Sequence, residues 1–276
     1  VDPLSATLPP AQLPLLAVVG ALLLIGGMLG WLWSNPLQMS VLRDEAVIRG
    51  SINLILAAGA GTLIPLLYTW FVTGYSHPTL SARGVLAGIV AALAAGPFVQ
   101  PGPALLIGFL AGATVPFVSY LVDDVLGLND KTGIVAALFV PALIGLLLVG
   151  IFADGAVGRG WQMTGLDSYL GVTGQGVTGL LAADGYQPDF PGQLQAQLIG
   201  TLALSLWGFL SGLAICIPLG LLLHALERDD RSAQKRAAAE AAAARHGWTL
   251  LSDSSWSGYT EWPLRVMEGY LQMAAE

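Results

Sequence analysis

RGVLAGIVAALAAGPFVQPGPALLIGFLAG, residues 83–112, decides the fold. Between Arg83 and Asp123 no side chain is charged at neutral pH. The stretch holds two apolar runs, broken only by Gly96-Pro97 and Pro101-Gly102-Pro103. Each run approaches the ~20 residues that a helix rising ~1.5 Å per residue needs to cross ~30 Å of hydrocarbon. The pattern predicts a membrane hairpin: helix, Gly/Pro turn, helix. Small residues at Ala87, Gly88, Ala91, Ala95, Gly108 and Gly112 would let neighbouring helix backbones approach closely.

The rest of the chain agrees with a lipid environment. Of 276 residues, 55% are hydrophobic and 11% charged, whereas a soluble domain carries about 25% charged residues. Mean hydropathy is +0.70. The net charge of -7 comes without a basic patch, which excludes a nucleic-acid partner. The single cysteine, Cys216, lies in an apolar run, so neither a disulfide framework nor a cysteine metal motif is expected. The N-terminus VDPLSATLPPAQLP has no basic region and does not resemble a signal peptide.

The chain therefore reads as an all-α, polytopic membrane bundle of about six helices. Residues 1–13 are a Pro-rich lead-in, 14–226 the transmembrane domain and 227–276 a cytoplasmic helical tail. Spans are expected at about 14–33, 50–72, 84–98, 103–122, 133–152 and 193–226. Pro141 falls inside the fifth. The extramembrane segment 154–192 is too polar to cross; a surface loop is expected, with one short amphipathic piece around Ser168–Leu181. Asp123, Asp124, Asp130 and Lys131 read as a solvated turn, since they lack the alternating ligands of a calcium loop. In the tail, Asp230–His246 reads as a helix starting at the Asp and stopped by Gly247. Trp262–Met273 reads as an amphipathic piece that docks on this chain or on a partner. Arg228, Arg231, Lys235, Arg236 and Arg245 follow the last span and place it, and with an even number of crossings the N-terminus, on the cytoplasmic side. Arg43 and Arg49 oppose that orientation weakly.

With the spans in place, the sequence resembles the second half of the ammonium transporter/Rh family over about Val19–Leu226. GALLLIGGMLGWLW (Gly20–Trp33) is similar to that family's GALLLWFGWFGFNA stretch. SINLILAAGAGTLIPLLYTWFVTGYSHPTL (Ser51–Leu80) is similar to its Asn-Thr-Leu helix and the turn after it. GVLAGIVAALAAGPFVQPGPALLIGFLAG is similar to GALAGLVAITPAAGFVSPWAALIIGAIAG almost position by position. NDKTGIVAALFVPALIGLLLVGIFA (Asn129–Ala153) is similar to the helix that carries VHG and ends in GIFA. The shared order of glycines and prolines is the specific part. The resemblance implies the second inverted repeat and the last helix of such a transporter. It gives packing roles to Gly88, Gly108, Gly112, Pro141 and Gly145.

The departures carry the functional reading. The family's pore holds two histidines, one from each repeat. The resemblance puts the second at Leu138, and leucine has neither a lone pair nor a proton to pass. The first, with an acidic residue that supports ammonium recruitment, belongs to the repeat this sequence does not contain. At the gating aromatic stands Trp31, and the Asn after it becomes Leu32. Asn53 is retained, in a helix-to-helix bonding role. Two readings stay open: a non-conducting structural or accessory subunit of a larger membrane complex, or half of an ammonium/ammonia channel that conducts with a partner chain. An antiparallel homodimer ranks below both, and an enzyme is not expected, because no nucleophile–base pair, buried carboxylate pair or metal spacing lies in the spans. No cofactor or metal is predicted; the sequence leaves bound lipid or pigment open. The expected partners are the lipid bilayer and other membrane subunits, with the expected location the cell (inner/plasma) membrane.

Overall fold

The computed structural model describes residues 12–34, 43–128, 130, 132–159 and 167–245. Helix α1 spans Gln12–Ser34, α2 Arg43–Thr73, α3 Pro78–Ala95, α4 Pro101–Tyr120, α5 Val140–Phe152 and α6 Gly192–Arg245. Six of the described helical stretches are long and apolar enough to cross a membrane: 14–34, 45–73, 78–98, 101–125, 135–152 and 192–224. The helix–turn–helix read from residues 83–112 is present. A single 3-10 turn, Gly96–Phe98, joins α3 to α4, and proline in the first turn of α4 suits a position whose N–H has no helical partner. Trp262–Met273 and Gly247 lie outside the described residues, as do residues 1–11.

The chain divides into two compact units, Val1–Ser205 and Leu206–Glu276. In the first, α2 packs along α3 and α4, and α3 also packs against α1 and α5. Backbone approach holds these helices together. A Cβ added to Gly112 would collide with the backbone of Gly61, and one added to Gly88 or Gly108 with the backbone of Ala57. A Cβ on Gly145 would collide with Ala91, so α5 lies as tightly on α3. Between lipid-embedded helices the hydrophobic effect supplies little drive, because lipid tails are as apolar as leucine; dispersion between close backbones takes its place. The core is accordingly rich in alanine: Ala87, Ala91, Ala95, Ala104 and Ala111 with Ile107, Val115 and Val149.

Two local departures from α geometry matter. Leu121–Val125 and Val135–Phe139 are π-helical turns. The second precedes buried Pro141. Proline has no N–H to offer the carbonyl four residues back, and its ring crowds that carbonyl. A wider turn ahead of it relieves the crowding, and the N–H of Val140 bonds to Val135 O.

Segment 154–192 differs from the expected surface loop. It contains a two-stranded antiparallel ladder, β1 (Ser168–Tyr169) and β2 (Val172–Thr173), in place of the expected amphipathic piece. Gln175 is buried and organises it. Its amide nitrogen donates to Thr178 Oγ1 (3.1 Å) and Gln187 O (2.8 Å), and its amide oxygen accepts from Gln187 N (2.8 Å). Tyr169 donates its hydroxyl to Asp189 at 2.6 Å.

In the second unit the described residues belong to α6, which runs unbroken through Asp230, so the separate helix expected to begin there does not exist. Leu226–Arg231 contains no Gly or Pro and no competing cap strong enough to end a helix already formed.

Candidate functional site: an apolar strip along α3

The circumference of α3 can be assigned at about 100° per residue. Gly84 and Gly88 meet Gly61 and Ala57 of α2. Ala87, Ala91 and Ala95 belong to the cluster that takes in Leu148, Val149 and Phe152 of α5. Ile89 and Ala92 belong to the cluster that takes in Leu24, Ile25, Met28 and Leu29 of α1. What remains is Leu86, Val90 and Ala94, four residues apart and only half-buried. They form a strip between the α1 side and the α5 side of α3.

The sequence-predicted site residues differ in exposure. Trp31, near the end of α1, is 50% exposed. Leu138, in the π turn before α5, is 37% exposed. Leu32 is 1% exposed and does not share that openness: its side chain lies over Gly50 and close to Pro97 inside the protein. Leu32 marks the level of Pro97, while Leu138 lies seven positions before Gly145, which sits on Ala91. Trp31 and Leu138 are therefore roughly 15–20 Å apart along the helix axes and not in contact.

Asn53 is fully buried on α2. Its amide nitrogen donates to Gly96 O and Val99 O, both at 2.7 Å, which ties the α3–α4 turn to α2. Its Oδ1 has no hydrogen-bond partner among the described residues.

Charge is confined to the ends. Arg49 donates to Asp154 at 2.6 Å and to Glu45 at 2.8 Å. Asp154 is 4% exposed; its N–H bonds to Phe98 O and its other carboxylate oxygen accepts from Ala156 N. One ion pair thus links α2, the α3–α4 turn and the chain leaving α5. At the other end of α5, Asp130 accepts N–H bonds from Gly133, Ile134 and Val135 and a hydroxyl bond from Thr132. Desolvation pushes its carboxyl upward, but the bonds from Val135, Thr132, Ile134 and Gly133 outweigh it and hold the carboxyl below its ordinary range. Beside Asp189 the Tyr169 phenol is pushed up to about 12, by the hydrogen bond first and desolvation second.

Sequence reasoning missed Asp130 and Asp154 as organising residues. Asp130 carried a usable signal, an Asp three residues ahead of Gly133-Ile134-Val135 at a helix start. Asp154 carried none, because its partner Arg49 is 105 positions away.

The strip offers no titratable group. Among the described residues, no cluster of three or more His, Cys, Asp or Glu could hold a metal ion. An ion crossing such a surface would lose hydration with nothing in return, a cost of several kcal/mol at least; a small neutral molecule would not meet that barrier.

These features define a class: a helical-bundle membrane protein built on backbone-to-backbone contacts, with polar anchors at its ends. The profile of the Ammonium Transporter Family matches residues 7–240. The chain belongs to that family. It is 31% identical over 199 residues to ammonium transporter Amt2 of Archaeoglobus fulgidus, covering 72% of this chain and 38% of that one. It is 31% identical over 182 residues to ammonium transporter Amt1 of Haloferax mediterranei, covering 62% and 34%. Among solved structures, a Sensor Amt Protein superposes with a TM-score of 0.56 at 22% identity, covering 75% of this chain and 44% of that one. Saccharomyces cerevisiae Mep2 superposes with a TM-score of 0.53 at 23% identity, covering 67% and 38%. These two likenesses establish the shared fold. The chain spans well under half the length of the relatives it matches.

Proposed function

We propose that this chain is a non-conducting member of the ammonium transporter family, serving as a structural or accessory subunit of a larger complex in the cell membrane. Leu138 carries the reading. The family's proton-handling imidazole falls there by resemblance, and the half-covered strip Leu86–Val90–Ala94 of α3 is itself aliphatic, with no titratable side chain. The close glycine contacts at Gly88, Gly108, Gly112 and Gly145 support a packing role for the bundle. No enzymatic role belongs to this reading. Both termini lie in the cytoplasm: the basic residues after the last span favour it. Arg49, at the end that faces outward, is held by Glu45 and Asp154.

A second reading is supported by Trp31 and by the strip Leu86–Val90–Ala94. An aromatic side chain kept at the gating position, together with a half-covered apolar strip, would suit half of an ammonia path completed by a partner chain. Purification from native membranes in mild detergent separates the readings. A stable assembly with unrelated membrane subunits in fixed ratio, inactive in flux assays, supports the first. A pairing with one transporter-like chain that conducts ammonia in liposomes supports the second and overturns the first.

A further inference from the structure

The last turn of α5 leaves backbone carbonyls with no helical partner, as every helix end does. Here the partners come from 26 or more residues downstream. Gly179 N bonds to Ala153 O at 2.8 Å, Leu180 N to Gly150 O at 3.1 Å and Leu181 N to Ile151 O at 2.8 Å. Gly179 has no room for a side chain: a Cβ there would meet the Gly150 carbonyl at 2.6 Å. Residues 179–181 are thus fixed beside the final turn of a membrane span, at the depth of Gly150–Phe152.

That position settles what their side chains meet. Leu180 is 43% and Leu181 57% exposed. The start of the next span is at the same level, since a Cβ on Gly150 would touch Leu194 of α6. Phe190, two residues before α6, is also exposed. Polar positions follow at once: Asp184 is exposed and Asp189 is bound to Tyr169. An apolar edge at the end of two spans, with polar groups just beyond it, matches the boundary between hydrocarbon and headgroups.

We infer that Leu180, Leu181 and Phe190 form an interfacial anchor that inserts into the bilayer at the end of α5, with lipid acyl chains as its ligand. The described residues 154–159 and 167–190 then form a folded cap seated in the membrane surface. Its apolar edge continues the lipid-facing surface of the adjoining spans, and buried Gln175, bonded to Thr178 and Gln187, holds its shape.

The test uses the full chain with Cys216→Ala, which leaves no other thiol. Leu181→Cys and, separately, Asp184→Cys carry an environment-sensitive fluorophore, in phosphatidylcholine vesicles that contain no other protein. The expected result at 181 is blue-shifted emission, strong quenching by lipid spin-labelled high on the acyl chain and protection from aqueous iodide. At 184 the expected result is the reverse. Both substitutions are at exposed side chains and leave the backbone bonds to α5 in place. Iodide access at 181 equal to that at 184 would overturn the inference. So would a label at 181 shielded from both iodide and spin-labelled lipid, because protein would then be covering the edge.

Discussion

Gly112→Ala tests the packing directly. Its added methyl would point at the Gly61 carbonyl, and the next atoms it meets are also Gly61 backbone. No rotamer change relieves that; α4 must move away from α2. Gly108, one turn along the same face, is pressed on Ala57 in the same way, so a local tilt cannot absorb the shift. A displacement of about 0.5–1 Å forfeits a quarter to a half of each dispersion contact along the seam, and overpacking of this kind costs about 1–3 kcal/mol. Alanine gains up to ~1 kcal/mol in helix propensity over glycine. The net expectation is a loss of about 1–2 kcal/mol. Gly59, in α2, has nothing within 4 Å of the place its methyl would take, so Gly59→Ala keeps the propensity gain without the clash. Unfolding in mixed micelles, followed by far-ultraviolet circular dichroism against denaturing detergent, should order the proteins Gly59→Ala at or above the parent, and Gly112→Ala clearly below it. Equal stability for the two variants would refute the argument that backbone contact holds the bundle.

Other outcomes follow from the polar anchors. Arg49→Ala strips the partner from an almost fully buried Asp154 and should cost up to ~3–5 kcal/mol, while the double change Arg49→Met, Asp154→Leu should be milder; thermal unfolding of both decides. Asn53→Asp faces two carbonyls with an acceptor and should destabilise more than Asn53→Ala, which itself should cost about 1–3 kcal/mol for each carbonyl left without its donor; the same micelle unfolding assay ranks the two. Asp130→Ala removes the cap of the π turn and should cost about 0.5–2 kcal/mol at neutral pH. Because the folded protein holds the Asp130 carboxyl below its ordinary value of 3.8, this stabilisation is present above that value and is lost as pH falls through the lower, folded one. The stability gap between parent and variant should therefore close in strong acid; a gap independent of pH would refute the cap.

The spans were legible because crossing hydrocarbon demands an uncharged run of fixed length, and a hairpin turn demands Gly and Pro at known places. Gly88, Gly108, Gly112 and Gly145 stood out through their order, and a Cβ at each would meet a neighbouring backbone. Leu32 was not. In a helix apolar all round, the sequence carries no period that says which side faces the protein. The π turn before Pro141 was illegible for a related reason: proline announces that the α ladder is interrupted, but not how the backbone accommodates it. Segment 154–192 hid its order because Asp154 pairs with Arg49, Tyr169 with Asp189 and Gln175 with Gln187, 105, 20 and 12 positions away, and no local pattern records such pairings.

An apolar strip without a proton relay is the property on which the proposed non-conducting role depends. Ammonia and methylammonium flux into liposomes holding the purified chain measures it. Flux indistinguishable from protein-free lipid, for the parent and for Trp31→Ala alike, is the predicted result. Saturable flux by the parent that disappears in Trp31→Ala would contradict it.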